Sequence, residues 1–216
     1  MAITFSSKTG MTTGVSSTPT SASHTAAAGD ILWFGVSIRD TRTITAAPTW
    51  NGQTMTQSGS ASGTTGVTNY LYYLNVVTGG TAAVSCTQSV SDNWAVATIS
   101  FTGANTSGQP DATSVGGPSS AVSYSQSVTS VADNCFAVLY GDNNSGAAIT
   151  AGANTTIANQ PEIAFTGAFL AYSTAAKTPA GTFTLAFTSA SGTASACMAS
   201  FKPISASTTS RFFMLV

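Results

Sequence analysis

Four strand-like segments in the first half of this chain recur, in the same order, about 100 residues further along. The last pair ends on the same Ser-Phe dipeptide. The paired segments are 29–40 with 131–140, 71–74 with 169–172, 80–81 and its strand with 181–187, and 95–101 with 196–201. Four recurrences in one order are hard to produce by composition alone, so the sequence predicts an internal duplication.

The recurring segments have the pattern of β-strands. In the clearest of them, the turn pair Gly29-Asp30 opens an apolar run in which Ile31, Trp33 and Phe34 are too bulky to share a solvated face. We expect a central strand there, buried on at least one side, whereas the alternation of bulky and small residues over 94–101 predicts a half-buried strand. No helical periodicity competes, and the Gly- and Asn-rich turns favour an all-β, antiparallel β-sandwich.

Duplication leaves two arrangements open. Each half forms a small sandwich, or the two halves interleave their strands in one jelly-roll-like sandwich. Because each half offers only five or six strands, we favour the second. It places one sandwich over 1–203, with related halves 1–104 and 119–203, a Gly- and Pro-rich linker at 105–118, and an apolar tail at 204–216.

Charge is scarce in this chain. Only 6% of its 216 residues are charged, against roughly 25% in an ordinary soluble domain, and the formal net charge is −1. No basic patch is available for a phosphate backbone, which argues against nucleic-acid binding. The polar surface must come from Ser, Thr, Asn, Gln and Gly, and such a surface offers little charge repulsion between copies. This composition suits a protein that packs against other copies or another assembly.

The N-terminal sequence and the cysteines bear on the cell compartment in which the protein is made. Residues 1–5 lack the basic and apolar regions of a secretory signal, and no apolar run reaches the roughly 20 residues of a membrane helix. We therefore expect synthesis in the cytoplasm and no membrane partner. The odd set of Cys86, Cys135 and Cys197 predicts buried small side chains, with one disulfide left open.

Residues suited to catalysis or metal binding are few. The only histidine, His24, lies in a polar stretch that predicts a surface residue, and no nucleophile motif accompanies it. Glu162 is the only glutamate, and turn contexts predict backbone-capping roles for the six aspartates. Asp142-Asn143-Asn144 resembles a fragment of a calcium loop but lacks the later acidic ligand. We predict no catalytic, metal or cofactor site, and a protein that is not an enzyme.

Aromatic residues allow two interpretations. A sugar-stacking platform is one, and core packing is the other. Because all of them fall in strands or at strand ends, core packing is favoured, with one of the adjacent Tyr72 and Tyr73 pointing outward. The residues concerned are Trp33, Trp50, Trp94, Tyr70, Tyr72 and Tyr73.

The chain ends on a strongly apolar segment. After the Ser/Thr-rich spacer 204–210, the last six residues are Arg211, Phe212, Phe213, Met214, Leu215 and Val216. Burying each large apolar side chain contributes roughly 1.5–3 kcal/mol before the ordering cost. The tail folds back on its own domain, docks into a neighbouring subunit as an added strand or plug, or is disordered. These six residues are our predicted subunit interface.

The first half contains a series of motifs at turns and core positions, without catalytic residues. They are Gly29-Asp30-Ile31-Leu32 with Arg39-Asp40, Trp50-Asn51-Gly52-x-x-Met55-Thr56, Leu71-Tyr72-Tyr73-Leu74 with Gly80-Thr81, and Ser100-Phe101-Thr102-Gly103. This series resembles one found in phage and prophage structural proteins, which are β-sandwich modules of tails and virion surfaces. The resemblance covers most of the first half and, more faintly, the second.

The resemblance implies a virion component. With the composition, it predicts a non-enzymatic structural protein that decorates or cements a phage particle by subunit packing and C-terminal tail docking. Its expected partners are further copies of itself and other virion proteins. The alternative is a carbohydrate- or receptor-binding module of a phage tail or fibre, whose partner is a host-surface glycan.

Overall fold

The computed structural model describes residues 1–62, 66–119, 122–143, 148–160, 167–189 and 192–205. Within these residues the chain is built of β-strands with no helix, which confirms the predicted all-β, antiparallel fold. The first ten strands are β1 (Thr4–Lys8), β2 (Thr12–Ser16), β3 (Thr20–Ala26), β4 (Ile31–Arg39), β5 (Ile44–Trp50), β6 (Gln53–Thr54), β7 (Thr56–Ser62), β8 (Val67–Asn75), β9 (Gly80–Gln88) and β10 (Asp92–Thr102). The others are β11 (Ala112–Ser119), β12 (Ser123–Thr129), β13 (Phe136–Asp142), β14 (Ile149–Ala151), β15 (Thr155–Asn159), β16 (Phe169–Ser173), β17 (Thr182–Ser189) and β18 (Ala194–Phe201).

The strands form four antiparallel sheets. The first inner sheet has the order β1-β10-β4-β8-β7, with β2 also paired to β10, and the first outer sheet has the order β3-β9-β5-β6. In the second half, the inner sheet has the order β11-β18-β13-β16-β15 and the outer sheet the order β12-β17-β14. No pairing between named strands crosses from one half to the other within the described residues; one isolated bridge, Ala104 to Pro203, joins them.

Three hydrophobic cores separate the four sheets. One lies between the first outer and inner sheets and includes Phe34, Trp50 and Val84. A second lies between the inner and outer sheets of the second half and includes Leu139 and Phe187. The third joins the two inner sheets, so the layers follow the order outer, inner, inner, outer. The two halves therefore share a core but no sheet. Each half has its own pair of sheets, whereas in the arrangement that we favoured the strands of the two halves interleave.

The central strands of the inner sheets are buried on both faces. Every residue of β18 is buried, as are residues 31–38 of β4 and 94–101 of β10. The prediction of a half-buried strand over 94–101 is therefore wrong. Its bulky Trp94 and Val96 face the outer sheet, whereas its small Ala95 and Ala97 face the second half, where space is needed for the opposing sheet.

Strand order and register recur between the halves. The order β2-β10-β4-β8 over β3-β9-β5 returns as β11-β18-β13-β16 over β12-β17-β14. Trp33 lies between Ile99 and Tyr73, and Val138 lies in the same way between Ala199 and Tyr172. All four recurring segments of the sequence thus occupy matching strands. This match supports the duplication; the duplication and the jelly-roll-like description both stay predictions.

Two connections between strands differ in form. The Asn51-Gly52 pair joins β5 to β6 with φ values of 48° and 74°, both positive as a type I′ hairpin turn requires. The predicted linker at 105–118, in contrast, is only partly a connection. Its second part belongs to β11, an edge strand paired with β18, where Gly116 and Gly117 lie beside a break in the register.

Candidate functional site

His24 lies in a buried cluster of hydroxyl groups. Its side chain is 1% exposed, because β3 presents it toward β1 and β10 below the outer sheet. The Nε2 atom is 2.9 Å from both Ser7 Oγ and Ser100 Oγ, and Nδ1 is 2.8 Å from Thr98 Oγ1. The prediction of a surface histidine is therefore wrong: the neighbouring Ser and Thr residues that suggested a surface stretch are its hydrogen-bond partners.

The cluster is organised for structure and not for proton transfer. Both ring nitrogens of His24 contact hydroxyls, with no carboxylate among its hydrogen-bond partners in the described chain. Desolvation by burial lowers the pKa of His24 from 6.5 to about 4, so the ring is neutral at neutral pH. A histidine of this kind lacks the orienting acid of a catalytic triad.

A second polar cluster lies at the junction between the two inner sheets. Asn69 Nδ2 and Ser195 Oγ donate to Asp142 Oδ1 over 2.6 and 2.9 Å. Ser37 Oγ donates to Asn69 Oδ1 over 2.5 Å and lies 3.1 Å from the Tyr140 hydroxyl. All five side chains are fully or almost fully buried, and they come from both halves. The network therefore links the halves by directional bonds inside an otherwise apolar layer.

Tyr140 reaches across the junction into the first half. Its hydroxyl donates to the Ala95 carbonyl over 2.8 Å, and burial raises the pKa of the phenol. The ring lies over Gly35, where an added Cβ would come within 1.9 Å of Tyr140 Cδ2. The glycine inside the apolar run of β4 thus makes room for a side chain of the other half, and a strand glycine is the sequence signal for such close approach.

The aspartates mostly bond to backbone groups, as predicted. Asp30, Asp111 and Asp133 accept from the N–H groups of Ala27, Val131 and Ala180.

Asp92 and Asp142 also contact side chains. Asp92 accepts from the Asn93 N–H and pairs with Arg39 and Arg42, and these contacts hold its pKa below the usual range. Asp142 instead bonds to the side chains of the buried junction network. One oxygen of this carboxylate is thereby bound within the protein, which does not match an open calcium loop.

The aromatic residues do not assemble a platform. Trp33 is buried in the core between the two inner sheets, and Trp50 and Trp94 are buried in the core below the first outer sheet, so core packing is the correct interpretation. Tyr72 and Tyr73 point to opposite faces of β8; Tyr72 is buried and Tyr73 is partly buried, because both faces of this inner sheet are covered. Among the aromatic side chains that the structure describes, only that of Phe5 is exposed, at 44%, and it stacks on Tyr172 with ring centroids 5.9 Å apart.

The cysteines are buried and free, as the pattern of small apolar positions predicts. Burial raises the pKa of Cys86, Cys135 and Cys197 to about 12, so none of them is an activated nucleophile. Across the described ranges, no group of three or more His, Cys, Asp or Glu side chains is placed to bind a metal ion. No helix among these residues is long and apolar enough to cross a membrane.

A cavity of about 510 Å³ lies at one end of the junction between the halves. Its walls come from the N-terminal segment, the turn before β13 and the segment 202–205 that follows β18. The backbone bonds Asn105 N to Lys202 O (2.9 Å) and Ile204 N to Gly103 O (3.0 Å) fix that last segment against the first half. The apolar lining residues include Ile3, Ala132, Phe136, Ala176, Pro203 and Ile204.

The two outer sheets present charge-free, hydroxyl-rich surfaces. None of the strands β3, β5, β6, β9, β12, β14 and β17 contains Asp, Glu, Lys or Arg. On the second outer sheet, Ser127 pairs with Thr184 and Thr129 with Thr182, their hydroxyls 2.8 and 3.0 Å apart. Thr25 and Thr81 form the same contact on the first outer sheet, at 2.8 Å. Charge is thus confined to the inner strands and the loops.

The predicted subunit interface, Arg211 to Val216, lies outside the described residues, as does Glu162. The structure places the root of the tail, Ile204 and Ser205, on the wall of the junction cavity. No family model matches this chain, and neither a curated protein nor a solved structure is similar to it.

Proposed function

We propose that this protein is a non-enzymatic structural component of a phage particle, which decorates or cements the particle through contacts with other subunits. The observation that carries this proposal is the pair of charge-free outer sheets. A surface without like charges lets copies approach one another closely, and it offers hydroxyl groups for many weak hydrogen bonds.

The internal construction also supports a scaffold. The four sheets share three cores, and the buried polar groups around His24 and Asp142 are tied to neighbouring side chains. Such a body presents its outer faces rigidly. Each contact is weak, and many identical contacts in an assembly add by avidity. The apolar segment Arg211–Val216 then serves as the anchoring element.

The alternative, a carbohydrate-binding module, finds less support. Its predicted platform of tryptophan and tyrosine rings is buried or, for Tyr70 and Tyr73, partly buried, which leaves Phe5 as the exposed ring in the described chain. Only the hydroxyl-rich outer sheets favour it. A glycan array with reproducible binding that mutation of the outer-sheet threonines abolishes would establish this alternative.

Particle incorporation tests the proposal. Particles from a lysed host culture that produces the protein are banded on a density gradient, and the bands are probed for the chain. We expect the protein in the particle band, and we expect deletion of residues 204–216 to remove it. Absence of the full-length protein from every particle band contradicts the virion role, whereas unchanged incorporation of the deletion variant contradicts the anchoring role of the tail.

A further inference from the structure

The junction cavity is suited to an apolar peptide segment. Its volume of about 510 Å³ falls within the range of roughly 300–1,000 Å³ that is usual for ligand pockets. Apolar side chains from both halves line it. Its charged side chains are those of Asp133 and Lys202, neither of which makes an ion pair within the described part of the chain.

The chain itself contains a segment that matches this cavity. Residues 212–216 are all apolar, two of them phenylalanine, and Arg211 precedes them. An aromatic pair is the kind of anchor that fills a pocket at an interface, and a neighbouring arginine matches an unpaired carboxylate at the rim. Asp133 is exposed, and one of its oxygens accepts from the Ala180 N–H at 2.6 Å, which leaves the other for an arginine.

The spacer determines which copy the tail reaches. Ser205 lines the cavity, so a tail that entered its own cavity would have to reverse direction at once. Residues 206–210 read Ala-Ser-Thr-Thr-Ser; of the residues that favour tight turns they contain Ser but no Gly, Pro, Asn or Asp. If fully extended, a spacer of five residues would span up to roughly 17 Å, enough to carry the apolar segment beyond its own cavity.

We infer that the junction cavity binds the Arg211–Val216 segment of a second copy of this chain, with Phe212 and Phe213 as anchors and Arg211 paired to Asp133. This inference rests on the proposed function, for which it supplies the contact between subunits. Donor and acceptor surfaces differ, so the contact is heterologous, and its repetition produces rings or open arrays.

Complementation between two variants tests the inference. One variant lacks residues 206–216 and keeps the cavity; the other carries Ala176→Trp, which fills the cavity, and keeps the tail. Each variant alone should be monomeric by native mass spectrometry, and their mixture should give a one-to-one heterodimer. Ala175→Trp is the matched control, because Ala175 is exposed beside Ala176 but does not line this cavity, and it should self-associate like the unmodified chain.

The outcomes separate this inference from the virion role. A mixture that stays monomeric overturns it, as does self-association of the Ala176→Trp variant at the level of the unmodified chain. Reversal of either rim charge, Asp133→Arg or Arg211→Asp, should weaken association about two- to fivefold, and the double variant should restore it. These measurements use purified protein. If the two variants do not form a heterodimer but the protein is still found in particles, the tail contact is rejected and the virion role is not.

Discussion

At the scale of single residues, His24 shows how a polar stretch of sequence can enclose a buried group. Its neutral ring is held by Ser7, Thr98 and Ser100. The three partners lie 17, 74 and 76 residues away along the chain. No local pattern reveals such a cluster, because its members meet only when β1, β3 and β10 come together.

The depressed pKa of His24 makes stability depend on pH. The unfolded chain takes up a proton near pH 6.5, whereas the folded chain does so only near its pKa of about 4, so stability falls as the pH decreases through this window. Between pH 7 and 5 we expect the free energy of unfolding to fall by about 2 kcal/mol through this residue. Chemical denaturation of the unmodified chain and a His24→Gln variant measures it. Equal losses in both proteins would contradict the assignment to His24.

Gly35 is a second residue whose role depends on the opposite half. A Gly35→Ala substitution introduces a Cβ into the space of the Tyr140 ring, and such overpacking costs about 1–3 kcal/mol. Thermal unfolding should show this loss. Gly10→Ala is the control, since no atom lies within 4 Å of the added Cβ there. An unchanged melting temperature for Gly35→Ala would mean that the ring moves aside without cost.

At the scale of elements, the sequence predicts where the strands lie better than it predicts which surfaces pack against them. Apolar runs and turn pairs are local, so the strand at 31–39 and the Asn51-Gly52 hairpin follow directly from the pattern. Burial of β10 on both faces does not, because alternation of large and small side chains also fits a half-exposed strand. The small Ala95 and Ala97 belong to the face that meets the second half, and only the stacking of two inner sheets explains them.

The junction between β8 and β13 should be sensitive to loss of its polar network. An Asn69→Ala variant removes one donor to the buried Asp142 carboxylate and the amide acceptor of the Ser37 hydroxyl, which costs about 1.5–3 kcal/mol. Urea denaturation of this variant measures the loss. Asn105→Ala, a change of the same chemistry at a surface turn, is the matched control and should cost less. Equal effects would show that the network contributes nothing specific.

At the scale of the whole molecule, the two sheet pairs are joined face to face through a shared core. Phe101 and Phe201, which occupy matching positions, meet at the junction with ring centroids 4.9 Å apart. A contact between equivalent residues is what a twofold arrangement of two similar units produces. The recurrence in the sequence could predict the two units. It could not predict whether they share a sheet, because strand counts alone do not decide pairing between distant segments.

The predicted subunit interface is also a property of the whole molecule. Sequence identifies the apolar segment 211–216, and the structure adds the cavity beside its root, whose walls come from both halves and from both ends of the described chain. Because these segments are far apart in sequence, no local pattern indicates that they form one cavity. The proposed contact between copies would link the charge-free surface, the apolar tail and the cavity.

Sedimentation velocity of the purified, full-length chain over a wide range of concentrations tests this link most directly. We predict species larger than a single chain that grow with concentration and disappear when residues 206–216 are deleted. A single species with the mass of one chain at every concentration would contradict the account.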